Sequence, residues 1–142
     1  MVARLAVVAV CGIAVATLAV WDHDARRCTG TELDLVALGL SGQPPAGGAP
    51  ATARRLDAVC VDATPLANAA AALAVRPGQA AVALGLGRRA VAREPRTFAA
   101  WVGLGDALAA TGDPVAAGAA YGRAQQLNPR WAGRLVAPAA AP

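Results

Sequence analysis

The stretch WVGLGDALAATGDPVAAGAAYGRAQQLNP, Trp101 to Pro129, decides how this chain is read. Nearly every residue in it is Ala, Gly or Val, so the few exceptions carry the information. Gly112 permits the left-handed turn that closes one helix, and Asp113-Pro114 supplies an N-cap and a preformed first turn for the next. Pro129 stops that second helix, because the residue before a proline avoids the helical region. Trp101 and Leu104 share a face of the first helix and fill the space between the two. Gly105, Ala117 and Ala124 are small where the partner helix crosses close. The stretch predicts a helix, a tight turn and a second helix folded back on the first.

Outward from there, a shift of 34 residues superposes Gly78 on Gly112, Ala83 on Ala117, Arg89 on Arg123, Ala90 on Ala124, Pro95 on Pro129 and Arg96 on Arg130. A period of that length marks stacked helix pairs. Residues 98–131 resemble a tetratricopeptide repeat, with Trp101, Leu104, Gly105, Leu108, Gly112, Ala117, Tyr121, Ala124 and Pro129 at the positions of its pattern. Residues 64–97 read as a degenerate copy. Thr64-Pro65 stands as cap and first turn, but Ala67, Ala70 and Ala71 occupy the places of Trp, Leu and Gly, and Gly87 replaces the aromatic.

The resemblance implies a scaffold whose first helices line a concave groove for a peptide or partner helix. By it, the groove-lining positions are Asn68, Ala72 and Val75 in the first copy and Ala99, Val102, Asp106 and Ala109 in the second. That surface is small and mostly apolar. It lacks the Lys, Arg and Asn cluster with which some members grip a C-terminal carboxylate. Two copies are fewer than a stable array needs. Residues 28–62 are therefore expected to cap the first copy, and Trp131, Leu135 and Val136 to form a short C-terminal cap before the rest of 132–142 trails into disorder.

In the 28–62 segment, CTGTELDLVALGL opens with Thr29 and Glu32 in capping-box spacing, and Leu33, Val36, Ala37 and Leu40 recur at helical intervals, predicting a helix over about 30–40. The turn SGQPPAGGAP comes next, and ATARRLDAVC then repeats the helical pattern up to Cys60. If the two helices run antiparallel, Cys28 and Cys60 come close. A disulfide there would close a loop of about 33 residues, stabilise by about 3–4 kcal/mol and imply an oxidising compartment. Two separate buried thiols are the alternative.

Residues 1–27 read as a membrane anchor or signal segment. Leu5 to Trp21 is a run of seventeen residues without a charge, at the short end of what spans a bilayer. Small residues at cleavage-site spacing keep a cleaved secretory signal open beside an uncleaved span. Cys11 is preceded by Val10, where a lipoprotein signal needs a small residue. Arg26 and Arg27 outnumber Arg4, which by the positive-inside rule places residues 28–142 in the cytoplasm; the cysteine pair argues for the opposite side.

The thirteen basic residues are all Arg, the net charge is +4, and no basic run reaches five residues. Without a basic stripe or interleaved aromatics, nucleic-acid binding is not expected. One His and two usable Cys cannot supply four zinc ligands. No Ser-His-Asp set, paired-carboxylate cleft, phosphate loop or metal constellation appears, so neither an enzyme nor a bound cofactor is expected. The expectation is an all-α chain: an N-terminal transmembrane or signal helix followed by a short helix-turn-helix solenoid. Such a chain would be a single-pass protein of the cell membrane, its C-terminal domain extracytoplasmic, mediating protein association. The alternative is a secreted or cytoplasm-facing repeat protein that associates with itself.

Overall fold

The computed structural model describes residues 2–131, with side chains from Thr17 onward. Expectations about the side chains before Thr17, which make up most of the apolar run 5–21, and about residues 132–142 lie outside the described residues. Within them the chain is all-α, with no strand. Its elements are α1 (Val2–Ser41), α2 (Ala49–Val59), α3 (Ala63–Ala74), α4 (Ala80–Arg93), α5 (Phe98–Ala110) and α6 (Pro114–Leu127), closed by a 3-10 turn, Pro129–Trp131.

The 34-residue period is physical. Both bounds of α6 lie 34 residues beyond those of α4. The turns that precede them place Gly78 at φ 78° and Gly112 at φ 79°, a left-handed conformation that costs glycine little. Asp113 caps α6, its Oδ1 accepting from the Ala116 amide at 2.9 Å, with Pro114 in the first turn. The first copy is capped differently. Thr64 and Pro65 lie inside α3, and Asp62 is the N-cap but makes no side-chain cap. Instead the Ala63 amide donates to Glu94 Oε1 at 2.9 Å, from the far end of α4.

α3 is central. α1 and α5 flank it, and α4 folds back on it and also packs against α5; α2 pairs with α1, and α6 with α5. So α1, α3 and α5 form one layer, with α2, α4 and α6 behind it. Three glycines allow that closeness. A Cβ on Gly39 would collide with the Ala72 backbone, one on Gly103 would lie 2.6 Å from the Ala67 carbonyl oxygen, and one on Gly87 would lie 2.9 Å from the Leu104 Cα. Gly87 thus stands where the repeat pattern has an aromatic because α4 there meets the backbone of α5.

The first hairpin departs from its sequence reading in two ways. The helix expected over about 30–40 is the end of α1, which runs unbroken through Cys28. Thr29 and Glu32 form no capping box, because the chain before them is already helical and its amides are bonded within the helix. Arg26 pairs with Asp22 one turn back, and the Thr31 hydroxyl donates to the Arg27 carbonyl. Nor is the Leu33, Val36, Ala37 and Leu40 stripe the buried one: Leu35 and Leu38 enter the core, while Leu33 and Leu40 are exposed.

The largest fully buried aliphatic side chains come from α1 to α4. Leu35, Leu56, Leu66, Leu73 and Leu86 are fully buried, each contributing about 1.5–3 kcal/mol relative to exposure. The degenerate copy therefore supplies three of the largest core side chains, one or more positions away from its alanines. Ala67 and Ala70 are buried too, as small surfaces on which neighbouring helices close.

Candidate interaction surface

At the end where α1 enters the module, Cys28 and Cys60 are bridged, with Cα atoms 5.0 Å apart. The bridge ties α1 to the end of α2. From α4, Arg93 donates to the Cys60 carbonyl and to the Asp57 carbonyl and carboxylate, and Arg89 stands 3.5 Å from the same carboxylate. A cation on the last carbonyls of α2 complements the negative end of that helix. Glu94 completes the junction: besides the Ala63 amide it accepts from the Thr97 hydroxyl at 2.6 Å, joining the starts of α3 and α5 to the end of α4.

Those two donors, Thr97 first and the Ala63 amide second, hold the Glu94 carboxyl below its usual pKa. A carboxylate with a lowered folded-state pKa adds stability above its unfolded pKa, about 4.3 for Glu, and loses it as the pH falls through the lower folded value. Glu94→Gln is expected to lower the melting temperature at pH 7 and to flatten the acid limb of a plot of stability against pH. Thermal melts between pH 2.5 and 7 check this; an acid limb as steep as that of the parent protein would refute the assignment.

The face built by α1, α3 and α5 begins at a cross-helix bond, Asn68 Nδ2 donating to Glu32 Oε1 at 2.8 Å. Val36 and Leu40 succeed Glu32 at one and two turns along α1, as Ala72 and Val75 succeed Asn68 along α3. Leu40 and Val75 are each about three-quarters exposed, at 76% and 75%. On α5, Ala99, Val102, Asp106 and Ala109 are half-buried. The seven groove positions thus separate into an open pair, Asn68 and Val75, and five sheltered ones.

Asp106 is engaged from behind. Tyr121, buried on α6, donates its hydroxyl to Asp106 Oδ1 at 2.6 Å, and a Cβ on Gly105 would strike the Tyr121 ring. Burial pushes the Asp106 carboxyl up and the Tyr121 hydrogen bond pulls it back; burial and the neighbouring carboxylate push the Tyr121 phenol up. Tyr121→Phe should cost about 1 kcal/mol and raise the Asp106 pKa further, which side-chain carboxyl NMR titration reads directly.

The other repeat positions are structural. Ala117 and Ala124 are fully buried, Leu104 and Leu108 are half-buried, and Pro129 opens the final turn. Trp101 is half-buried and donates Nε1–H to the Pro95 carbonyl at 2.8 Å. Trp131 packs on Phe98 with ring centroids 5.5 Å apart. The opposite side of the module, on α2 and α4, presents Arg54, Arg55, Arg88 and Arg89.

The contribution of α1 to the face was missed by the repeat reading, which placed the first hairpin as a cap. The signal was present in the Leu33, Val36 and Leu40 spacing, but a helical interval does not say which face turns inward. Among the described residues no helix is long and apolar enough to cross a membrane, and no group of three His, Cys, Asp or Glu could hold a metal ion. Comparison with protein families, curated proteins and solved structures returned no match for this chain.

Proposed function

We propose that residues 28–131 form a tetratricopeptide-like module that binds a protein or peptide partner on the α1, α3 and α5 face, tethered to the membrane by its N-terminal segment and facing an oxidising compartment. The observation that carries this reading is the asymmetry of the two sides. One face groups the exposed Leu40 and Val75 beside polar Glu32 and Asn68, whereas the other carries four exposed arginines on α2 and α4 and, apart from them on α6, the exposed Val115. Exposed aliphatic side chains grouped on one face of a small helical protein mark an interaction surface. The 34-residue register and the left-handed glycine turns support the repeat resemblance.

Two further observations support the placement. The uncharged run 5–21 lies within α1, and that helix continues without a break into the module, joining the tether to it with no intervening loop. The Cys28–Cys60 bridge is the kind of bond that persists outside reducing compartments.

The test is a photocrosslinking map in a native host. A photoreactive residue at Val75 or Val102 should yield one adduct of defined mass, lost in the Leu40→Asp background, and none from Arg88. An adduct equal to twice the chain mass would favour self-association, and equal yields from Arg88 would contradict the face assignment.

A further inference from the structure

A second feature adjoins this face where α1 leaves the module, a cavity of about 630 Å³ beside the Cys28–Cys60 bridge. Its apolar walls include Val20, Trp21, Val61 and Pro65. Trp21, at the end of the uncharged run 5–21, and Val61 are 78% and 86% exposed. Three carboxylates, Asp24, Glu32 and Asp62, also line it, and among the described residues no basic side chain does.

That is an uneven use of charge in a chain of net +4 with nine carboxylates. Six of them are paired with a donor: Asp22, Glu32, Asp57, Glu94, Asp106 and Asp113. The three left without a partner among the described residues are Asp24, Asp34 and Asp62, and two of these line one cavity. Uncompensated negative charge beside exposed apolar walls is complementary to a positive charge on an apolar body. The exposed indole of Trp21 adds a ring face on which a guanidinium or ammonium group is attracted. Glu32 belongs both to this cavity and to the bond with Asn68, so the cavity continues the α1 and α3 stripe toward the N-terminal segment.

We propose that this cavity receives a basic amphipathic segment of a partner protein, its apolar side chains against Val20, Val61 and Pro65 and an arginine or lysine at Trp21, Asp24 and Asp62. The proposal rests on the reading of this chain as a protein-binding module and names the chemistry of the partner at one end of its surface.

The experiment uses the full chain in zwitterionic lipid nanodiscs, with empty discs as background. The probe is a fluorescently labelled ten-residue peptide of Leu, Ser and Arg, compared with its Gln-for-Arg counterpart by anisotropy. The Arg peptide should bind and the Gln peptide should bind at least ~fivefold more weakly, as expected for exposed ion pairs and one cation–π contact. Asp24→Asn with Asp62→Asn should weaken the Arg peptide by a similar factor, Trp21→Ala by about twofold or more, and Asp34→Asn not at all. The difference between peptides should shrink in 0.5 M salt. Equal binding of both peptides, absence of binding, or an equal loss with Asp34→Asn would overturn the proposal. So would a concentration-dependent dimer that Asp24→Asn and Asp62→Asn abolish, which would assign the cavity to a second copy. Crosslinks from Val75 that persist while the peptide fails would sink this inference alone; loss of both would sink the functional reading as well.

Discussion

Gly103→Val is expected to destabilise the protein by about 3 kcal/mol, the upper range for overpacking a well-filled core. The position faces backbone, not a side chain that could swing away: an added Cβ would lie 2.6 Å from the Ala67 carbonyl oxygen and 3.0 Å from its Cα. α3 and α5 would have to separate, and that movement would open the contacts of α4 with both. At about 4–8 °C per kcal/mol for a module near 100 residues, the melting temperature should fall by about 12 °C or more. The control is Gly118→Ala on α6, where nothing lies within 4 Å of the added Cβ. Alanine inside a helix should there raise stability by about 0.5–1 kcal/mol. Circular dichroism melts of the full chain in detergent measure both; a Gly103→Val protein that melts with the parent would contradict the close packing of α3 on α5.

That glycine also shows where sequence reading stops. The repeat pattern drew attention to Gly105, which faces the Tyr121 ring within its own hairpin, and the spacing of Trp101 to Pro129 located both helices, the Gly112 turn and the Asp113 cap. These features are local: each depends on residues a few positions away. Gly103 and Gly39 are small because of a neighbouring helix more than thirty residues distant in the chain, and no periodicity within one segment encodes that approach. The inward face of α1 was illegible for the same reason. Leu33, Val36 and Leu40 make as good a helical stripe as Leu35 and Leu38, and only the position of α2 and α3 decides between them. Glu94 had no signature at all, since its two partners, the Ala63 amide and the Thr97 hydroxyl, meet only when three helix ends converge. The cysteine pairing, by contrast, came from a simple antiparallel argument, and the extension of α1 through Cys28 did not disturb it.

Removing the bridge is the second large perturbation. Cys28→Ala with Cys60→Ala frees a loop between residues separated by 32 positions, and the chain-entropy model puts the loss at about 3–4 kcal/mol. The consequence is unequal across the fold. α2 holds to the rest through Leu56, its one large core side chain, the smaller buried Ala49, Thr52 and Ala53, and Arg93 on its last carbonyls, and the exposed ion pairs at Asp57 add little on their own. The double variant should therefore lose protection in α2 and the end of α1 before the α3 to α6 core opens. Hydrogen exchange resolved by segment reads this, and a reductant should lower the melting temperature of the parent protein without affecting the variant. Uniform loss of protection across all six helices would show that the bridge sustains the whole fold instead of its first hairpin.

Compartment, tether and partner all turn on the state of that cysteine pair in the living cell. The decisive measurement is to express the full chain in a native host, block free thiols before lysis and determine by peptide mass whether Cys28 and Cys60 are joined. The expected result is a linked pair of peptides carrying no blocking group, as the proposed placement outside the cytoplasm requires. Quantitative blocking of both residues would contradict that placement, returning the decision on orientation to Arg26 and Arg27 and the search for a partner to the cytoplasmic side.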